Sequence, residues 1–168
     1  MTNPLAVLRM LVVDDNPQMR TIVGTVLHAA GVQDIHFAGD GRQALELLRG
    51  SDFDCIYVDF EMPQMNGIQF VQAMRQLDRR HRFTPVIMLT GYADRAHLTA
   101  ARDSGVNEFL RKPVTARDIL LRLEAVILRP RQFVTSPDYF GPDRRRTRAT
   151  AYLGTKRRAK DRGEMVEL

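Results

Sequence analysis

Two adjacent aspartates, Asp14 and Asp15, close the apolar run "RMLVV", and a third, Asp59, closes "DCIYV". Thr90 follows "PVIML", and Lys112 stands before Pro113 just after "VNEFL". Three carboxylates held together repel one another, and one lysine ammonium does not neutralise all of them. A hard divalent cation does, and magnesium prefers a few carboxylate oxygens plus retained waters, leaving room for a phosphoryl oxygen. A carboxylate at the centre of such a site can attack phosphorus and become an aspartyl phosphate. Lysine and metal would offset the phosphoryl charge while a threonine hydroxyl hydrogen-bonds it. Each residue alone has a plainer reading: "DD" and Thr90-Gly91 as turns, "KP" as a strand terminator. Their conjunction at successive strand ends is what points to a site.

The elements that must bring them together alternate along the chain. "RMLVV" is followed by Met19, Ile22, Val23, Val26, Leu27 and Ala30 at helical spacing, then "IHFA", then Ala44, Leu45, Leu47 and Leu48. "DCIYV", a helix over Ile68–Leu77, "PVIML", a weaker helix near 94–104, "VNEFL" and a last helix through Leu120, Leu123 and Ile127 complete the pattern. Five β-α units predict an α/β fold, a doubly wound, parallel five-stranded sheet with helices on both faces. The first, third and fourth runs carry few polar residues, which suits central strands. Such sheets bind ligands beyond the carboxyl ends of their strands, where the acids, Thr90 and Lys112 lie.

Across residues 7–128 the sequence resembles the receiver domain of two-component response regulators, of the single-domain CheY type and flavodoxin-like in fold. The resemblance is carried by "LVVDDNPQMR", "VDFEMPQMNGIQFV", "VIMLTG" and "NEFLRKPV". It implies that Asp59 is the phosphoacceptor and that Asp15 and Asp59 bind Mg2+ directly. It further implies that Asp14 assists through water and that Glu61 contributes its backbone carbonyl. Thr90 and Lys112 would sense the phosphoryl group, and Lys112-Pro113 would be a cis peptide, a form that only proline makes accessible. Phe109 takes the place of the family's switch aromatic, beside its plainer reading as a core phenylalanine. Phosphorylation would then bias the face of the last two receiver helices through an added charge of about −1.5 to −2. A sensor histidine kinase or phosphotransfer protein is the implied phosphodonor.

Composition limits the alternatives. A chain of 168 residues with 44% hydrophobic content supports one core and an extension. Residues 1–128 hold 14 Lys/Arg against 15 Asp/Glu, a net of −1, whereas residues 129–168 hold 11 against 5, a net of +6. The basicity belongs to the extension. Cys55, the one cysteine, lies in an apolar run and reads as a small buried hydrophobe. The four histidines lack metal-ligand spacing. No apolar stretch approaches the roughly 18 residues that span a bilayer, so a soluble cytoplasmic protein without membrane contact is expected. An enzyme is not expected, because the acidic site modifies itself and turns over no separate product.

The extension, residues 129–168, is too short and too poor in apolar helical patterns for an ordinary DNA-binding output domain. Its prolines, glycines and low apolar density predict disorder when free. Nine of its eleven basic residues are arginine, and "SPD" and "GPD" repeat at a spacing of five, setting Asp138 and Asp143 beside Tyr139, Phe140 and the run Arg144, Arg145 and Arg146. Guanine suits that set: its O6/N7 edge accepts a bidentate arginine, its N1/N2 edge donates to a carboxylate, and its face stacks on tyrosine. Phosphates would take the other arginines.

Residues 131–160 resemble the arginine-rich extension of the Cle group of CheY-like cyclic di-GMP effectors, centred on "SPDYFGPDRRR". That resemblance implies cyclic di-GMP as ligand, held by Arg131, Asp138, Tyr139, Asp143, Arg144, Arg145, Arg146 and Arg148, with ordering on binding. It also implies flagellar motor switch proteins as partners and motility and surface attachment as outputs. The competing readings are an extension that binds nucleic acid or other polyanions without sequence preference, and a phosphotransfer shuttle with an inert tail. The aspartates count against a purely phosphate-binding segment, since they repel it.

Overall fold

The computed structural model describes residues 3–91, 94–145 and 164–166. A 3-10 turn over Pro4–Val7 leads into β1 (Arg9–Val13), α1 (Pro17–Ala29), β2 (Asp34–Ala38), α2 (Gly41–Gly50), β3 (Cys55–Asp59) and α3 (Gly67–Arg75). A single turn, α4 (Arg79–Arg82), precedes β4 (Val86–Thr90), α5 (Arg95–Asp103), β5 (Glu108–Arg111) and α6 (Ala116–Leu128). The strands pair in parallel in the order β2-β1-β3-β4-β5. The expected five-stranded parallel α/β fold is therefore present.

Position in that order explains composition. Strands β3 and β4 are buried along their whole length, and β1 is buried from its second residue on, whereas the flanking β2 and β5 carry partly exposed positions. Alternate residues of the central strands feed two cores. Leu11, Val13, Ile56, Val58, Val86 and Met88 face Phe70, Val71 and Met74 of α3 and Ala44 and Leu48 of α2. Met10, Val12, Cys55, Tyr57, Ile87 and Leu89 face Val23 and Leu27 of α1 and Ile119 and Leu123 of α6. Cys55 sits inside this second core, and burial pushes its thiol far above the ordinary range, as a structural cysteine requires. Among the described residues no helix is long and apolar enough to cross a membrane.

The beginning of the extension departs from the free chain that composition predicts. Residues Phe133–Ser136 (β6) and Tyr139–Pro142 (β7) form an antiparallel hairpin closed by Pro137 and Asp138. Glu164–Val166 (β8) pairs with β6, giving a small sheet ordered β7-β6-β8. An isolated hairpin is marginal in water, and this one is held because Phe133 is only 2% exposed against the receiver. Aromatic residues within a proline- and glycine-punctuated stretch supply the anchor that average composition conceals. Residues 146–163 lie outside the described set.

Candidate functional site

The acidic site is assembled by three chain turns. Asp14 and Asp15 follow β1 where Asn16 caps α1, its side chain accepting from Gln18 N at 2.9 Å. Asp14 Oδ1 accepts from Asn16 N at 2.8 Å, and the Asp14 carbonyl accepts from Arg20 Nη1 at 2.6 Å, so the turn fixes that carboxylate. Asp59 is the last residue of β3, and Phe60 N donates to Leu89 O at 2.8 Å, holding the β3 and β4 ends level. Lys112 N donates to Thr90 O at 2.8 Å and does the same for β4 and β5. The Lys112–Pro113 peptide is cis.

Oxygen atoms of Asp14, Asp15 and Asp59 all lie within 4.8 Å of one another. Lys112 Nζ stands 2.7 Å from Asp59 Oδ1 and 3.9 Å from Asp14 Oδ2. Asp14 is 2% and Asp59 5% exposed, while Asp15 is open to solvent. Burial pushes Asp14 up to about 6, with the charges of Asp59 and Asp15 adding and the Asn16 amide and Lys112 opposing. Asp59 is also raised by burial, against the hydrogen bond and charge of Lys112. Lys112 thus compensates part of the cluster. Asp14 Oδ2 is buried with no hydrogen-bond partner, an acceptor that a hard cation suits. Beside the acids an open depression of about 390 Å³ is lined by Asp15, Phe60, Glu61, Met62, Pro63 and Asn66. Glu61 is exposed at its rim, and Thr90 is buried at the end of β4. Phe109 is half-buried on β5 opposite Met88 and packs on the α2–α3 side of the sheet.

The acidic residues and Lys112 named from sequence therefore converge. The residues named in the extension are placed differently, for several of them are engaged with the receiver. Arg131 Nη2 pairs with Glu108 Oε1 at 2.7 Å, and Arg122 Nη1 approaches the other Glu108 oxygen at 3.3 Å. The Arg144 guanidinium lies 3.9 Å from the Tyr139 ring centroid, and its Nη1 is 3.3 Å from Asp103 Oδ1. Tyr139 donates from its hydroxyl to Pro142 O at 2.8 Å. Asp143 Oδ1 accepts from Arg145 N at 3.0 Å, and Asp138 is exposed at the hairpin turn. Arg146 and Arg148 lie outside the described residues.

Sequence reasoning missed the seat of the hairpin. Its centre is Arg75, 3% exposed, which donates to Arg82 O and Thr84 O at 2.7 Å, to Gly105 O at 2.8 Å and to Asn107 Oδ1 at 3.1 Å. Burial pulls this guanidinium down to about 9. It remains cationic at neutral pH. The available signal was an arginine following Phe70, Val71 and Met74 on the buried face of α3, where an apolar residue belongs.

A model of the response regulator receiver domain matches residues 10–124. The chemotaxis protein CheY of Pseudomonas aeruginosa is 35% identical over 122 residues, spanning 73% of this chain and 98% of that protein. The crystal structure of chemotaxis protein CheY4 from Vibrio cholerae superposes with a TM-score of 0.68 at 33% identity, covering 71% of this chain and 98% of that one. The receiver domain of the Pseudomonas aeruginosa sensor histidine kinase PA1611, solved with a magnesium ion coordinated in its active site cleft, superposes with a TM-score of 0.64 at 26% identity over 70% and 94% of the two chains. With a family match over more than half its length, on a sheet that gathers three aspartates and a lysine at its carboxyl edge, this chain belongs to the response regulator receiver domain family.

Proposed function

We propose that the chain is a phosphorylatable, CheY-like response regulator whose phosphoacceptor is Asp59. The observation that carries this is the convergence of Asp14, Asp15 and Asp59 with Lys112 Nζ 2.7 Å from the Asp59 carboxylate. Asp14, Asp15, Asp59 and the Glu61 carbonyl would hold Mg2+, which when bound supplies positive charge to offset that of the phosphoryl oxygens. Asp59 is oriented by Lys112, and its free oxygen attacks phosphorus while the bond to the donor's histidine nitrogen breaks and that nitrogen keeps the electron pair. Lys112 would then shift its hydrogen bonding toward the phosphoryl group, with the Thr90 hydroxyl as a second donor to it. Phe109, on the strand beside them, would relay the change to the α5–β5–α6 face.

By likeness to the CheY relatives the partners are a histidine kinase or phosphotransfer protein and the flagellar motor switch, with chemotactic motility as the output. The extension is read as the finer specialisation, a cyclic di-GMP site built from Arg131, Asp138, Tyr139, Asp143 and the arginines from Arg144 onward. What supports it is one segment combining guanidinium groups, a stackable ring and carboxylates that a purely phosphate-binding tail would not use.

Acetyl phosphate treatment with magnesium tests the first reading: mass spectrometry should find one phosphoryl group on the native chain and none on Asp59→Asn. Calorimetry with cyclic di-GMP and cyclic di-AMP tests the second. Equal affinity for the two would reduce the extension to a nonspecific anion binder.

A further inference from the structure

We infer that the docked hairpin is a latch in which two carboxylates of the receiver, Glu108 and Asp103, occupy the guanidinium groups that an anionic ligand of the extension would take. This rests on reading the extension as an anion-binding segment, and it adds the state from which that segment must be released.

The seat is built for the hairpin. Phe133 lies under the receiver with its ring 4.9 Å from the Arg75 guanidinium carbon. Phe83 meets Phe133 and Phe140 edge-on, both at 5.3 Å between centroids, and Arg82 stacks 3.8 Å over Phe140. Two glycines permit the approach. A Cβ on Gly141 would come within 2.8 Å of Gly105 Cα, and one on Gly105, whose φ is +100°, would come within 3.0 Å of Phe140 O. A side chain at either position would force the two surfaces apart.

Onto this apolar contact are set two charge clamps, both using residues of the proposed ligand site. Both lie at the open end of the hairpin, opposite its turn, where Arg131 is held by Glu108 and Arg144 by Asp103. Carboxylate and phosphate present the same planar pair of acceptors to a guanidinium, so either satisfies it but not both with the same donors. Tyr139, the stacking ring of the segment, is already covered on one face by Arg144. Arg144 is nonetheless incompletely satisfied, because its Nε is buried without an acceptor. A ligand phosphate could satisfy that donor only by displacing the Asp103 contact or reorienting the side chain. Ligand binding and the docked state therefore compete for the same groups, and whatever weakens the latch strengthens binding of the anion.

The test is titration of the full chain and its Asp103→Asn, Phe133→Ala and Glu124→Gln variants with cyclic di-GMP, inorganic pyrophosphate and a short DNA duplex. Amide hydrogen exchange is followed in parallel at Asp143, whose N–H donates to Gln132 O across the hairpin. Asp103→Asn should tighten pyrophosphate and cyclic di-GMP binding by about two- to fivefold, the worth of a partly exposed ion pair. It should also speed exchange at Asp143, and Phe133→Ala should do both more strongly. Glu124, exposed on α6, controls for bulk charge and should change neither. Unchanged affinities in Asp103→Asn, equal tightening by Glu124→Gln, or no binding of any probe overturns the latch. Should Phe133→Ala fail to fold, Asp103→Asn decides alone. If cyclic di-GMP binds no form while pyrophosphate tightens as stated, the guanine reading falls and the latch stands. If the duplex alone tightens, the anion is nucleic acid and the dinucleotide reading falls.

Discussion

Phe133 and Arg75, 58 positions apart in the chain, lie against each other with the guanidinium carbon 4.9 Å from the ring centroid, both almost wholly removed from solvent. Among the described residues Arg75 has no carboxylate partner. Its charge is carried by backbone carbonyls, Asn107 and the aromatic face, an arrangement worth more when desolvated than at a surface. The start of the extension thereby completes the receiver's surface.

Removing the ring should show this directly. Phe133→Ala is expected to lower unfolding free energy by about 3 kcal/mol, at the lower end for a buried phenylalanine because the hairpin can lift away and let water in. Urea denaturation of the variant measures it. A chain ended at residue 129 should lose a comparable amount; unaltered stability would mean that the hairpin is not docked in solution.

Arg75 itself should tolerate no replacement that keeps only the charge. Arg75→Lys retains a cation but has three donors where the guanidinium reaches four acceptors on different sides. Leaving buried carbonyls unpaired costs about 1–3 kcal/mol each. A clear fall in thermal midpoint is expected for Arg75→Lys and a larger one for Arg75→Ala, read by calorimetry.

Stability without metal should fall as pH rises through the range in which Asp14 ionises. Its carboxyl titrates near 6 in the folded protein against 3.8 for the unfolded chain, so between those values the folded state holds the extra proton. The associated stability is complete below pH about 4 and is lost above about 6. Asp14→Asn, which cannot acquire that charge, should therefore exceed the native protein at pH 7 in EDTA by roughly 2–3 kcal/mol. The difference should vanish below pH 4. Adding Mg2+ at pH 7 should stabilise the native chain and much less the variant, because ligands that bind only the folded state stabilise it by mass action. An Asp14→Asn protein less stable than the native one in EDTA at pH 7 would contradict the buried-charge account.

Lys112 is expected to act on the phosphorylated state more than on the fold. Lys112→Ala removes the ammonium 2.7 Å from Asp59 Oδ1, which should raise the Asp59 carboxyl further. Loss of one charge-assisted hydrogen bond is worth about 1.5–3 kcal/mol, or roughly ten- to a hundredfold in an equilibrium constant. The yield of phosphoprotein at fixed acetyl phosphate should drop accordingly, measured by mass spectrometry or by phosphate-affinity gel shift.

The sequence alone determined the central sheet and the acidic cluster, because both follow from local order. Runs such as "CIYVD" and "VIMLT" are apolar up to their last residue, which suits central strands of a covered parallel sheet. Once those strands are parallel, residues at their carboxyl ends must meet at one edge, so Asp14, Asp59 and Lys112 could be brought together without knowledge of a single contact. The turn α4 was not legible, since "RRHR" shows no apolar period and is shaped by the cap at Asp78 and by burial of His81. The hairpin was legible only in its turn, Pro137-Asp138 ahead of Tyr139 and Phe140. Whether it lay free or docked depended on Arg75, Phe83 and Gly105, which receive it and stand 28 to 58 positions before its first strand residue, Phe133. Average composition describes a segment as though water surrounded it. A close approach of two glycines and an aromatic ring over a buried guanidinium are properties of a surface that exists only after the receiver has folded, and that surface decided that the extension begins docked.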